Sequence, residues 1–229
     1  MSTNDKPASE WGPPGVRVVV RPLGTPLPVG FLGLLVASTV TSALQLGWVP
    51  ATDGHAVALA ILGFTVPLQL TSAVFGFLAR DPVAGTGMGV LAGTWAAVGL
   101  VTVTAPPGST SPALGVLLVT AACAMVVPTA AASTKLVAAL VMGLSAVRFL
   151  VTGVATTSGS VSWKEAAGVT GLVLAALALY AALAMELEDA RHRTVLPTLR
   201  RGARADVMTG RAEDELADLQ HEAGVRKQL

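Results

Sequence analysis

The chain has 229 residues, 52% hydrophobic and 13% charged, and its 15 Lys and Arg against 14 Asp and Glu leave a formal charge of +1. A mean hydropathy of +0.66 is too apolar for an ordinary soluble domain, and the near-cancelling charges give no basis for a nucleic-acid partner. The long apolar runs do not alternate, which excludes barrel strands and makes helices the form that satisfies the backbone in hydrocarbon.

Residues 1–27 scatter Pro7, Pro13, Pro14 and Pro22 among Asp5 and Glu10, which predicts an extended, poorly ordered arm. They do not set a short basic segment before an apolar one, so no secretory signal is expected and the first span should persist in the mature protein. Six apolar stretches follow within 28–188, at 28–48, 56–79, 85–105, 113–131, 136–155 and 166–187. Each is near the ~20 residues that a helix needs to cross a bilayer. The expected fold is therefore an all-α integral membrane protein, six transmembrane helices in one bundle.

On the first stretch Ser38, Thr41, Ser42 and Gln45 share a helical face, with Leu34 one turn before Ser38 as an apolar constriction. Thr65, Gln69 and Ser72 make a similar face on the second, and Ser145, Arg148 and Thr152 on the fifth. Three such faces turned to a common axis would line a hydrated path within the protomer. Turned to one another, they would only hydrogen-bond between helices. Gly85, Gly89 and Gly93 of the third stretch, continued by Ala97, form a ridge of small residues that predicts close helix packing. Pro67 and Pro128 should bend the second and fourth helices. The single cysteine, Cys123, lies inside the fourth and has no intramolecular disulfide partner.

Arg148 is the only ionisable residue well inside a stretch. A mid-membrane charge costs about 2.5 to 3.5 kcal/mol on insertion scales, so such an arginine ordinarily faces the bundle interior, where its planar fork suits a carboxylate. Only about two turns separate it from the end of its helix, so a head reaching the lipid headgroups is the competing reading. No enzyme constellation, metal site or cofactor motif is present: His55, His192 and His221 all fall outside the six stretches without ligand spacing, and there is no Walker sequence.

Lys6, Arg17, Arg21, Arg80, Lys135, Arg191, Arg193, Arg200, Arg201 and Arg204 fall on one side of the six-span topology. The other side holds Asp53, His55, the uncharged loop 106–112 and the pair Lys164 and Glu165. Lys and Arg concentrate in cytoplasmic loops, which predicts both termini in the cytoplasm and a multi-pass location in the plasma membrane. The tail, 189–229, is basic over 191–204 and then acidic through Glu213, Asp214, Glu215, Asp218 and Glu222. Its arginines can hold anionic membrane lipid at ~1 kcal/mol each. Ala212, Leu216, Leu219 and Ala223 recur at helical spacing and predict a short amphipathic helix, with the tail as a whole solvated or in contact with another subunit.

Tyr180 through Glu186, followed by Arg193, Thr194, Val195, Leu196 and Pro197, resembles the closing signature of the acetate uptake transporters, the succinate-acetate permeases. Thr25-Pro26-Leu27-Pro28-Val29-Gly30-Phe31 resembles the same family's Asn-Pro-Ala-Pro-Leu-Gly-Leu motif at the start of the first helix. The likeness extends through residues 51–54, Gln69 and residues 78–80, and spans about residues 25–197. It implies six helices around each protomer's own pore, a homo-oligomer of hexamer type, and passage of small monocarboxylates with or without a proton. The chain departs from the pattern at Thr25, at Leu34, near Ala92 where an aromatic narrows the family's pore, and at Ser42 and Leu44. Those departures imply a divergent member with a wider or less selective path.

The expected function is accordingly a transporter or channel for a small organic anion such as acetate. Arg148 would attract the carboxylate, Leu34 and Ala92 would flank the narrow point, and Ser38, Thr41, Gln45 and Gln69 would line the way. The alternatives are a neutral-solute channel of the urea and amide type, and a membrane scaffold acting through its arginine-rich tail.

Overall fold

The structure, a computed structural model, describes residues 24–191 and 193–199. The expected arm over 1–27, apart from 24–27, and the tail beyond 199 with its expected helix lie outside the described residues. Within them are six helices long and apolar enough to cross a membrane: Leu27–Gln45, Ala51–Leu78, Pro82–Thr104, Pro112–Ala131, Leu136–Ser158 and Val161–Arg191, the first to sixth spans. The first, third, fourth and fifth hold 19 to 23 residues. At 1.5 Å per residue that is about 29 to 35 Å, which matches a hydrocarbon core of ~30 Å.

Hydrophobicity marks what lies in lipid, and capping chemistry marks where each helix stops. The first span ends at Gln45 rather than 48, because the chain turns at Gly47, whose φ of +72° favours glycine, and Trp48 is left outside the helix and exposed. The third starts at Pro82 instead of 85: Asp81 Oδ1 accepts from the amides of Val83 and Ala84 at 3.1 and 3.2 Å, and proline suits the first helical position. Ser111 and Pro112 open the fourth in the same way, with Ser111 Oγ accepting from Leu114 N at 3.3 Å. The fifth continues past 155 to Ser158, where Thr156, Thr157 and Ser158 donate their hydroxyls to the carbonyls one turn back, and Gly159 then ends it at a φ of +66°.

The second span begins at Ala51, five residues before the expected start, so His55 is part of it and not of a loop. Its path is composite, with a 3-10 turn at Ala51–Asp53, α-helix at Gly54–Ala60, a π turn at Ile61–Thr65 and α-helix again at Val66–Leu78. Proline supplies the reason. Pro67 offers no N–H to the Gly63 carbonyl and its ring would press on it, and the wider turn, closed by Val66 N–H on the Ile61 carbonyl, makes room. The sixth span runs from Val161 to Arg191, so Lys164, Glu165 and Glu188 are helical residues.

Each span packs on the next in chain order, and the sixth closes back on the first. The six helices thus form a ring whose interior is filled by residues such as Phe31, Leu34, Met88, Leu91, Met125, Val141 and Leu174, all fully buried.

At the end of the ring where the described residues begin and end, the two sequence signatures acquire physical roles. Ser72 Oγ of the second span donates to the Pro26 carbonyl at 2.6 Å. A methyl on Gly30 would meet Met88 Sδ of the third span and come within 2.8 Å of Ser72 Oγ. Pro26 and Gly30 therefore stand where three helices converge too tightly for a side chain. Arg193 to Pro197 turn back along the sixth span, and the Tyr180 hydroxyl donates to the Pro197 carbonyl at 2.8 Å. Asp81 and Lys135 meet at 2.6 Å and tie the loop after the second span to the loop after the fourth. Asp81 thus lies on the same side of the bundle as Lys135 and offsets its charge there.

Candidate functional site

A cavity of about 270 Å³ descends from the opposite end of the ring. Its mouth is formed by the 105–111 loop, by Ala51, Gly54 and His55 at the head of the second span, and by Gly159, Ser160 and Lys164 around the start of the sixth. Its walls are largely apolar, with Leu44, Val98, Leu114, Leu118, Trp95 and Phe149. Thr41, Gln45, Thr152 and Arg148 are the polar groups of its deeper part.

Arg148 is 1% exposed, and its head lies between the first, fifth and sixth spans. Nη1 donates to the Ala167 carbonyl of the sixth span. Nη2 donates to Thr41 Oγ1 of the first at 3.0 Å, and that hydroxyl passes its own proton to the Ala37 carbonyl at 2.6 Å. Nε–H has no protein partner among the described residues. The guanidinium rests against Gly171 of the sixth span, where an added methyl would lie 2.7 Å from Cζ and 2.8 Å from Nε and would also strike Ser42 Oγ. Of the two readings of Arg148, the geometry is that of an interior-facing arginine, because both neighbouring helices offer acceptors that a lipid-facing head would forgo.

The three polar faces do not meet on one axis. Thr41 and Gln45 of the first span come together with Arg148 and Thr152 of the fifth at the cavity. The second-span face is turned to the first helix instead, where Thr65 Oγ1 donates to the Gly33 carbonyl at 2.9 Å beside the Ser72 bond to Pro26. Gln69, between them, is fully buried with both amide atoms unpartnered. Leu34, Ser38, Ala92 and Gln69 are all buried in the bundle without lining the cavity. Ser38 Oγ, Ser42 Oγ, Gln45 Oε1 and Trp95 Nε1 are likewise buried without a protein partner among the described residues. Such a run of unsatisfied polar atoms in one bundle is unusual and marks its polar interior.

Trp95 and Phe149 are the wall residues that sequence reasoning missed. Their rings meet edge to face, with centroids 5.7 Å apart and planes at 67°. The third helix thus does present an aromatic to the cavity, one turn beyond Ala92, and Trp95 is 3% exposed. The available signal was its place: a tryptophan in mid-span lies away from the interfacial belts where that residue ordinarily collects. The packing ridge divides along its length. Gly85 is buried, and a methyl on it would come within 2.6 Å of the Phe77 ring. Gly89 would meet only the Ala73 methyl at 3.9 Å, and Gly93 is exposed with nothing within 4 Å.

No protein-family model matches the chain. No curated protein matches it either. Among solved structures it superposes on the bacterial acetate channel SatP with a TM-score of 0.68 and 20% sequence identity, covering 77% of this chain and 99% of that one. The protein has the fold of SatP. At that identity the likeness to SatP speaks for the arrangement of helices, so the six-helix ring is shared while the residues of the path are to be argued from this chain's own side chains. The protein is accordingly a multi-pass membrane protein with the helix arrangement of that channel.

Proposed function

We propose that the protein conducts small monocarboxylates such as acetate across the plasma membrane, through the interior of each protomer. The observation that carries this reading is the sign of the charge along the cavity. Its lining cations are Lys164 at the mouth and Arg148 at depth, and among the described residues no carboxylate lines it. A low-dielectric funnel with fixed charge of one sign concentrates ions of the other, and an arginine ordered by two helices stabilises an anion without having to be rearranged. The SatP fold and the signatures at Pro26, Pro28, Gly30 and residues 193–197 support membership of the acetate uptake family, and with it a homo-oligomer of hexamer type. Leu34 and Ala92, deeper in the ring, would flank the narrow point, with Trp95 above them.

Radiolabelled acetate and urea uptake into proteoliposomes tests the reading. Arg148→Gln should lower acetate flux about tenfold, equivalent to losing roughly 1.4 kcal/mol of attraction, while urea flux changes little. Unchanged acetate flux at equal protein per vesicle would remove Arg148 from the path. Urea flux exceeding acetate flux in the wild type would favour the neutral-solute reading, and flux of neither would favour the scaffold.

A further inference from the structure

Resting on that reading, we propose that Gly171 and Thr41 are positioning residues: they hold the Arg148 guanidinium in the wall between the first and sixth spans, so that it acts on a passing carboxylate as a fixed charge and not as a free fork. A guanidinium carries five N–H donors, and its strength toward carboxylates comes from presenting two of them side by side. In this protein Nη1 and Nη2 each spend one of their two protons on a helix, at Ala167 and Thr41, which fixes the plane of the head. The other edge, at Nε, lies against Gly171, where there is no room even for a methyl group. An anion in the cavity meets the charge, but the head cannot turn its fork toward that anion without giving up the bonds to Ala167 and Thr41.

That arrangement suits passage better than capture. Conduction needs attraction strong enough to bring the ion in and weak enough to release it. A free arginine fork in a dry site would err on the side of retention, because bidentate charge-assisted hydrogen bonds are among the strongest a side chain makes. Gly171 lets the head lie back into the helix interface, and Thr41 holds it there with an oxygen whose own proton is directed to Ala37. Neither residue needs to touch the substrate. They are positioning residues acting through Arg148.

The test is concentration-dependent acetate uptake in proteoliposomes for wild type, Gly171→Ala, Thr41→Val and Arg148→Gln, with urea uptake measured on the same vesicles. Gly171→Ala should force the head toward the cavity, so half-saturation should occur at several-fold lower acetate and maximal flux should fall. Thr41→Val should produce the same two shifts to a smaller degree, by freeing Nη2. Arg148→Lys in the Gly171→Ala background should restore wild-type half-saturation, because an ammonium keeps the charge and lacks the planar head that Gly171 accommodates. Wild-type half-saturation in both Gly171→Ala and Thr41→Val, with Arg148→Gln still impaired, would overturn the proposal and leave Arg148 in the path. An Arg148→Gln variant as active as wild type would instead overturn the anion-path reading on which the proposal stands. Should Gly171→Ala not incorporate, Thr41→Val decides, by lowering half-saturation or failing to.

Discussion

At the scale of single residues, the hydrogen bonds that matter most run between helices, and they explain positions whose identity a pattern alone cannot. Tyr180 is the clearest case. Its hydroxyl reaches the carbonyl of Pro197 and so fastens the segment that turns back along the sixth span. Tyr180→Phe deletes one hydrogen bond and keeps the ring, and it should cost about 1 kcal/mol, read as a lowered thermal midpoint in detergent with acetate flux per folded protein unchanged. Gln69 should behave in the opposite sense. Its amide is buried without partners among the described residues, so Gln69→Met, of similar length and without polar atoms, should leave the thermal midpoint unchanged or raise it. A fall of several degrees would mean that the amide has partners in the assembled protein. Arg148 could be singled out from sequence because a lone charge in an apolar run is conspicuous. Its orientation could not, because its partners Thr41 and Ala167 lie on other helices, and Thr41 becomes a neighbour only when the ring closes.

At the scale of elements, the six spans were legible because length and hydrophobicity are properties of contiguous sequence. Their ends were legible only in part. Asp81-Pro82 and Ser111-Pro112 carry clear helix-start chemistry outside the apolar runs, and a reading by hydrophobicity starts both helices late. The polar stripe of the second span illustrates a different limit. Period alone shows that Thr65, Gln69 and Ser72 share a face, but it does not say whether that face meets a path or a neighbouring backbone, and here Thr65 and Ser72 bond to the first span. The glycine ridge makes a test at this scale. Gly85→Leu would drive into the Phe77 ring and should destabilise the folded protomer, whereas Gly93→Leu points into open space and should leave protomer folding intact. Size-exclusion chromatography separates the two outcomes: aggregate or no protein for the first, a folded species for the second. A shift of Gly93→Leu to smaller size without loss of helicity would locate a subunit contact on that face.

At the scale of the whole molecule, the proposed topology has both termini in the cytoplasm and the cavity mouth facing outward. In a Cys123→Ala background, a cysteine at Ser109 should react with a membrane-impermeant thiol reagent in intact cells, while one in the tail should not. The reverse pattern would invert the protein and turn the basic funnel toward the cytoplasm. The ring also imposes an order in time. The first span has its most extensive packing with the sixth, so a growing chain must keep that face of its first helix uncovered in the membrane until the last helix arrives, a delay on the order of ten seconds at ~5–20 residues per second. Arg148 waits as well, since the Ala167 carbonyl that receives Nη1 comes later in the chain. A nascent chain released before residue 161 should therefore be held by insertion factors and degraded rapidly in pulse-chase, while one released after residue 199 should be long-lived, which makes synthesis of the last helix the commitment step in the protein's biogenesis.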